Sequence, residues 1–174
     1  RYYKGLKVAL KAIENTNIKI VVAGAMSADN ELSEYAKANS INNIKFLGKV
    51  SKEDKCALLS TCYGFIFPSN LRTEAFGIAL LEAAYFGNPL ISCEIGTGTS
   101  FVNIHNETGL VVKPGCPKDL RDAMLKLLNN KELATKMGKN AKKRAKKLFS
   151  ADKQSKSYLK IYSEILENTK KITL

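Results

Sequence analysis

The sequence is poor in the residues that build metal and redox centres. It has one histidine, His105, and four cysteines, Cys56, Cys62, Cys93 and Cys116, none of them in a C-x-x-C pair. Zinc ligands come at tighter spacing, so the cysteines read as reduced, mostly packed thiols of a cytoplasmic protein. His105 reads as an ordinary loop residue. No apolar run reaches the roughly 18 residues that suggest a membrane-spanning helix. The first residues, RYYKG, form no charged-then-apolar leader. They look like the middle of something, and the natural protein is expected to continue upstream. Acidic residues are scarce at the other end. Residues 118–174 hold 16 Lys and Arg against 6 Asp and Glu, whereas residues 1–117 are nearly balanced at 12 against 10. The formal net charge of +12 therefore belongs to the C-terminal part. Such a face is either a solvated lysine-rich surface or a meeting place for nucleic acid, anionic lipid or an acidic partner.

What is present is the composition of a soluble globular domain, with 174 residues, 45% hydrophobic and 25% charged. Apolar spacing predicts a helix over Gly5–Asn15, with Leu6, Ala9, Leu10 and Ile13 on one face. The run Ile18–Ala23, ending at Gly24, predicts a buried parallel strand. Helices are predicted at Asp29–Asn39 and from a Ser51 cap to about Ser60, with Asp54 as the capping-box acid. A further helix runs from Phe76 or Gly77 to Gly87, with Pro89 beyond as its stop. Short strands are predicted at Ile44–Leu47, Tyr63–Phe67, Pro89–Cys93 and Gly109–Val112. Three helices follow, Pro117–Asn129, Lys131–Phe149 and Ala151–Asn168. Alternating strands and helices predict an α/β fold with a doubly wound parallel sheet, spanning 1–149, and a helical tail over 150–174. Such a fold normally begins on a strand that lies mid-sheet, yet this chain begins on a helix, so the central strand is expected upstream.

Ligands of open α/β sheets sit beyond the carboxyl ends of the strands. Three segments leave strands at that edge: Phe67-Pro68-Ser69 leading to Glu74, Cys93 to Thr99, and Gly24 to Ser27. The first contains Glu74 and, eight residues on, Glu82, the two acids of a largely apolar stretch. Eight helical residues rise about 12 Å, more than the roughly 5–9.5 Å between carboxylates that flank one glycosidic bond. The pair therefore suits opposite ends of an extended ligand. Between them, the amides of Phe76, Gly77 and Ile78 at a helix N-terminus suit anionic oxygens. A ligand with hydroxyls at each end and phosphates between, such as a nucleotide sugar, has that shape. For Gly96-Thr97-Gly98 a plain turn and a phosphate or sugar contact both remain open, and Gly24-Ala25-Met26 reads as a turn.

The motifs R-x-x-K-G at Arg1–Gly5, F-L-G at 46–48, F-P-S at 67–69, E-A-F-G-I-A-L-L-E at 74–82, G-x-P at 87–89 and T-G-L-V-V at 108–112 resemble the C-terminal half of a glycosyltransferase family 4 enzyme. The resemblance implies one Rossmann-like half of a GT-B fold, with residues 1–149 binding a nucleotide-sugar donor. The helix over 150–174 would cross to an N-terminal GT-B domain of the same protein. It implies retaining transfer from a nucleotide-diphosphate sugar to a glycan or lipid-linked acceptor, without a cofactor or required metal. Carried over residue by residue, Lys4 and Glu74 have the catalytic roles. Lys4 would neutralise the departing diphosphate and Glu74 would bond the sugar hydroxyls. Donor contacts would come from Phe76, Gly77 and Ile78, from Glu82 on the ribose, from Val50 along the base, and from Gly96 and Thr97. The family's Arg that partners this Lys would lie upstream, so the isolated chain is expected to be inactive. Glu94–Asn103 resembles members acting in surface polysaccharide assembly, often mannosyl transfer, which makes GDP-mannose a candidate donor. A cytoplasmic location is implied, with peripheral contact with the anionic inner face of the plasma membrane as an option for the lysine-rich helices. The rivals are a GT-B-like sugar-nucleotide epimerase and a basic nucleic-acid-binding module. The second would display aromatics on a strand, whereas YGFIF reads as buried, so no nucleic-acid partner is expected.

Overall fold

The structure, a computed structural model, describes residues 2–24 and 29–172. Arg1 and the Ala25–Ser27 part of the first predicted loop lie outside the described residues. A 3-10 turn, Tyr2–Lys4, leads into α1 (Leu6–Ile13). Strands and helices then alternate: β1 (Ile20–Ala23), α2 (Asp29–Ala38), β2 (Ile44–Gly48), α3 (Lys52–Thr61), β3 (Phe65–Phe67), α4 (Ile78–Phe86), β4 (Leu90–Cys93), α5 (Thr99–Val102) and β5 (Gly109–Val112). Three helices close the chain, α6 (Pro117–Leu128), α7 (Lys131–Leu148) and α8 (Ala151–Ile172). The 3-10 turn and the four-residue α5 had no sequence signal, because neither is long enough to show a period.

All described strand pairs are parallel, as expected, but the sheet is in two pieces. β1 pairs with β2, and β3-β4-β5 form the second piece. No described strand joins them. This corrects the reading of Ile18–Ala23 as a buried strand. Val21 is 51% exposed, because β1 has a neighbour on one side only and its outer face is uncovered among the described residues. β4, flanked on both sides, is buried at every position, as a continuous apolar run should be.

One core spans both pieces. Ala9, Leu10, Ala12 and Ile13 of α1 pack with Ile20, Ile44 and Phe46 on one side and with Ile66, Ile91 and Leu110 on the other. Arg121 of α6 locks α1 in place. Its Nε donates to the Ala12 carbonyl at 2.6 Å, and its Nη2 donates to those of Lys11 and Glu14 at 3.0 and 2.9 Å. A cation at the carboxyl end of a helix satisfies carbonyls that the helix leaves open. A second core joins Phe67, Leu80, Ala83 and Ala84 to Ala141 and Ala145 of α7. Ala141 and Ala145 are buried there, while Met137 of the same helix faces the first core. A Cβ on Gly138 would overlap the Gly87 carbonyl, so α7 lies directly against the end of α4. The described side chains of α8 are exposed throughout, Tyr158, Ile161 and Tyr162 included.

Arg121→Met keeps most of the side-chain volume and removes three charge-assisted bonds to partly buried carbonyls. Denaturant unfolding should show a loss of about 1.5–3 kcal/mol.

Candidate functional site

The carboxyl ends of β3 and β4 and the N-terminus of α4 meet in one place. The chain leaves β3 through Pro68 and Ser69, bends at Leu71–Thr73, and enters α4 with Gly77 in the left-handed conformation (φ 87°). Gly77 is buried, and a Cβ there would stand 3.2 Å from the Phe67 ring. Leu80 and Leu81 donate to the Gly77 carbonyl. The N–H groups of Phe76, Gly77, Ile78 and Ala79 have no acceptor among the described residues. They form a patch of donors at the positive end of α4, beside the 70% exposed Ile78 side chain.

The two acids of the motif each hold a lysine. Lys4 Nζ bonds Glu74 Oε2, joining residues 70 apart in the chain. The Ser69 hydroxyl reaches the same oxygen at 3.4 Å. Glu74 Oε1 is left without a partner among the described residues. Lys4 also lies 5.1 Å from the Tyr3 ring centroid and 5.3 Å from that of Phe67, so its charge is flanked by two π faces. Its placement follows from its neighbour. Gly5 has φ 67°, and a Cβ on it would overlap the Pro68 carbonyl. Only glycine lets the start of α1 lie against the end of β3, which is the physical content of the K-G pair. The Asn70 N–H donates to the Tyr3 carbonyl at 2.9 Å, a second tie between the two segments.

Glu82, in the second turn of α4, accepts from Lys55 Nζ of α3 at 2.6 Å. That bond raises the Lys55 pKa above its ordinary value. Val50 stands just ahead of α3, whose first turn is capped by the Ser51 hydroxyl accepting from the Asp54 N–H at 2.9 Å.

The loop after β4 packs on the loop after β3. The Gly98 N–H donates to the Ala75 carbonyl at 2.9 Å, and a Cβ on Gly98 would press the Phe76 ring at 2.8 Å. The Phe76 ring also meets Phe149 edge-on. Gly98 is thereby held against Ala75 and Phe76, with Gly96 and Thr97 just ahead of it in the same loop. The Gly96 N–H is engaged, however: it donates to Glu94 Oε1 at 2.9 Å, while the Ser100 hydroxyl donates to Oε2 at 2.7 Å. The Thr97 hydroxyl lies 3.3 Å from that of Thr99. Of the two readings of this turn, its internal bonding shows how the turn is built.

Two cations at the site had no signal in the sequence. Lys55 is one of many helix lysines until the fold sets it against Glu82. Arg72 is exposed, its guanidinium 3.9 Å from the Cβ position of Gly96, and it has no ion-pair partner among the described residues. His105 is structural, its Nδ1 accepting from the Val111 N–H at 2.9 Å. Cys93, inside β4, has its thiol pushed up to about 11 by burial, which leaves it protonated and unreactive near neutral pH. The four cysteines are free thiols. Phe65 and Phe67 pack into the second core, so β3 offers no aromatic face to a nucleobase.

Residues 1–144 match the family model described as "Glycosyl transferases group 1". The chain is 51% identical over 151 residues to the D-rhamnosyltransferase WbpZ of Pseudomonas aeruginosa, covering 87% of this chain and 40% of that protein. It is 42% identical over 168 residues to the O-antigen chain mannosyltransferase C of Escherichia coli, covering 97% and 45%. The chain thus spans less than half the length of these curated relatives. The crystal structure of Anabaena HepE in complex with UDP and glucose superposes with a TM-score of 0.83 at 19% identity, over 94% of this chain and 46% of that one. At that identity the likeness is one of fold, and it is the Rossmann-like GT-B domain expected from the sequence.

The bonds from Ser100 and Gly96 hold the Glu94 carboxyl below its ordinary value of 4.5. A carboxylate with a depressed pKa stabilises the fold above its ordinary value, and loses that contribution as the pH falls through the lower, folded value. Glu94→Gln should therefore lower the melting temperature at neutral pH by about 1–2 °C. The gap from the parent should close as the pH falls through that lower, folded value. Melts across that range check it, and a gap independent of pH would contradict it.

Proposed function

The chain belongs to the glycosyl transferases group 1 family, and we propose that it is the donor-binding half of a retaining glycosyltransferase that builds a surface polysaccharide. The observation that carries this reading is the Lys4–Glu74 pair beside the unpartnered amides of Phe76, Gly77 and Ile78. Glu74 Oε1 accepts from hydroxyls of the donor sugar. Lys4 and the amides receive the diphosphate, whose charge grows as the glycosidic bond breaks. Donors already aimed at developing charge lower the barrier most. A cation and a helix N-terminus supply that stabilisation from the protein itself, so the reading requires no metal or cofactor. Glu82 takes the ribose hydroxyls, and the Val50 segment lies along the base. Gly96 and Thr97 close the sugar end, with Thr97 offering its hydroxyl.

The named activities of the relatives, a D-rhamnosyltransferase and an O-antigen chain mannosyltransferase, support a mannose-type or 6-deoxyhexose donor, and HepE, which shares the fold over 46% of its chain, was crystallised with UDP and glucose. GDP-mannose is the first donor to test. The acceptor, a growing glycan or a lipid-linked one, belongs with an N-terminal GT-B domain, toward which α8 crosses with its exposed tyrosines and isoleucines. Among the described residues no helix is long and apolar enough to span a membrane. The lysines of α7 suit peripheral contact with anionic lipid at the cytoplasmic face.

Calorimetric titration of the chain with GDP, UDP, ADP and their sugar conjugates tests the reading. One nucleotide should bind selectively, and Glu82→Ala should weaken it by about tenfold or more. Equal affinity in the variant, or no binding of any nucleotide, would overturn it.

A further inference from the structure

We propose that Lys55 is a positioning residue for the nucleoside end of the donor, pinning Glu82 by one oxygen so that the other is free to receive the ribose hydroxyls. This rests on the assignment of Glu82 to the ribose. Three observations support it.

First, the 2.6 Å bond runs from the first turn of α3 to the second turn of α4, between residues 27 apart. It links the helix that follows the base-side segment to the helix that carries the acid. The far end of α3 is held separately, by buried Leu59 and by Asn88 Nδ2 donating to the Leu59 carbonyl at 2.8 Å, so the lysine is the tie near the acid. Second, the lysine and the carboxylate side chains are 43% and 37% exposed. An ion pair that wet contributes little to stability, so its consequence lies in where it holds the carboxylate. Third, the same device occurs at the other end of the motif. Lys4 and Ser69 both engage Oε2 of Glu74 and leave Oε1 open, just as Lys55 engages Oε1 of Glu82 and leaves Oε2 open. In both, one oxygen is held by a cation and the other, with two lone pairs, remains an acceptor for hydroxyls.

The physical effect is on the cost of binding. A free glutamate on a helix surface samples several rotamers, and fixing one of them on binding costs free energy. Lys55 makes that selection beforehand. A lysine is charged through neutral pH at its ordinary value, and the bond to Glu82 raises it further, so the selection persists there.

The test compares the parent chain, Lys55→Met, Lys55→Arg, Glu82→Ala and the Lys55→Met/Glu82→Ala double variant. Each is titrated with GDP, UDP and ADP and with their 2′,3′-dideoxy forms. Lys55→Met should weaken the preferred ribonucleotide by about threefold to tenfold and leave the dideoxy form unaffected, since the lysine acts only through the acid that meets those hydroxyls. Lys55→Arg should restore affinity, and the double variant should bind no more weakly than Glu82→Ala. A Lys55→Met loss equal for both ligand forms would overturn the proposal, because the lysine would then be touching the ligand elsewhere or supporting the fold. So would an unchanged ribonucleotide affinity in Lys55→Met alongside a clear loss in Glu82→Ala. If Glu82→Ala itself had no effect, the ribose assignment would fail and the proposal with it.

Discussion

The apolar face of α1 holds this domain together. Among the described residues the two pieces of sheet share no strand pairing. They are one body because Leu10 and Ile13 are buried against residues of both. Burying a leucine or isoleucine side chain contributes about 1.5–3 kcal/mol, and α1 presents two of them with Ala9 and Ala12 between. The Lys4 side of the site depends on that docking. It puts Gly5 against Pro68, and Gly5 in turn sets Lys4 beside Glu74. Arg121 fastens the far end of the same helix. Packing under the sheet is thus converted into the position of a charge at its edge.

At that edge the protein separates two jobs. Backbone amides at α4 offer fixed, uncharged donors, while side-chain charge is supplied in pairs. A lone glutamate within a site that excludes water would be costly, and a lone lysine equally so. Pairing with Lys4 relieves that cost for the more buried Glu74 before a ligand arrives, whereas the wetter Glu82–Lys55 pair fixes a position. Because each pair engages a single carboxylate oxygen, it leaves acceptor capacity for hydroxyls. Arg72 stands apart from this scheme, as a cation beside Gly96 without an acid of its own.

Much of the architecture was legible in local chemistry. Gly87 and Pro89 mark the end of α4, Ser51 the start of α3, and the apolar spacing of α7 its buried side. Parallel strands between helices announced the fold class. The exceptions have plain causes. Ile18–Ala23 reads as a buried strand, but burial depends on having neighbours on both sides, and among the described residues β1 has one. α5 and the opening 3-10 turn are shorter than any period that could reveal them. Gly96 is a turn glycine in sequence, yet only the folded loop shows its N–H committed to Glu94.

By itself the sequence determined the order of elements, the stops and caps of the helices, and the placing of two acids eight residues apart in a largely apolar stretch. These follow from local conformational preference and from spacing along the chain, which act over a few residues. Tertiary structure alone decided what each acid holds. Glu74 meets a lysine 70 positions away and Glu82 one 27 positions away. Electrostatic attraction carries no sequence period, and in a chain with 28 Lys and Arg any of many cations could have been chosen. Packing made the choice, by fixing which helices pass the edge of the sheet.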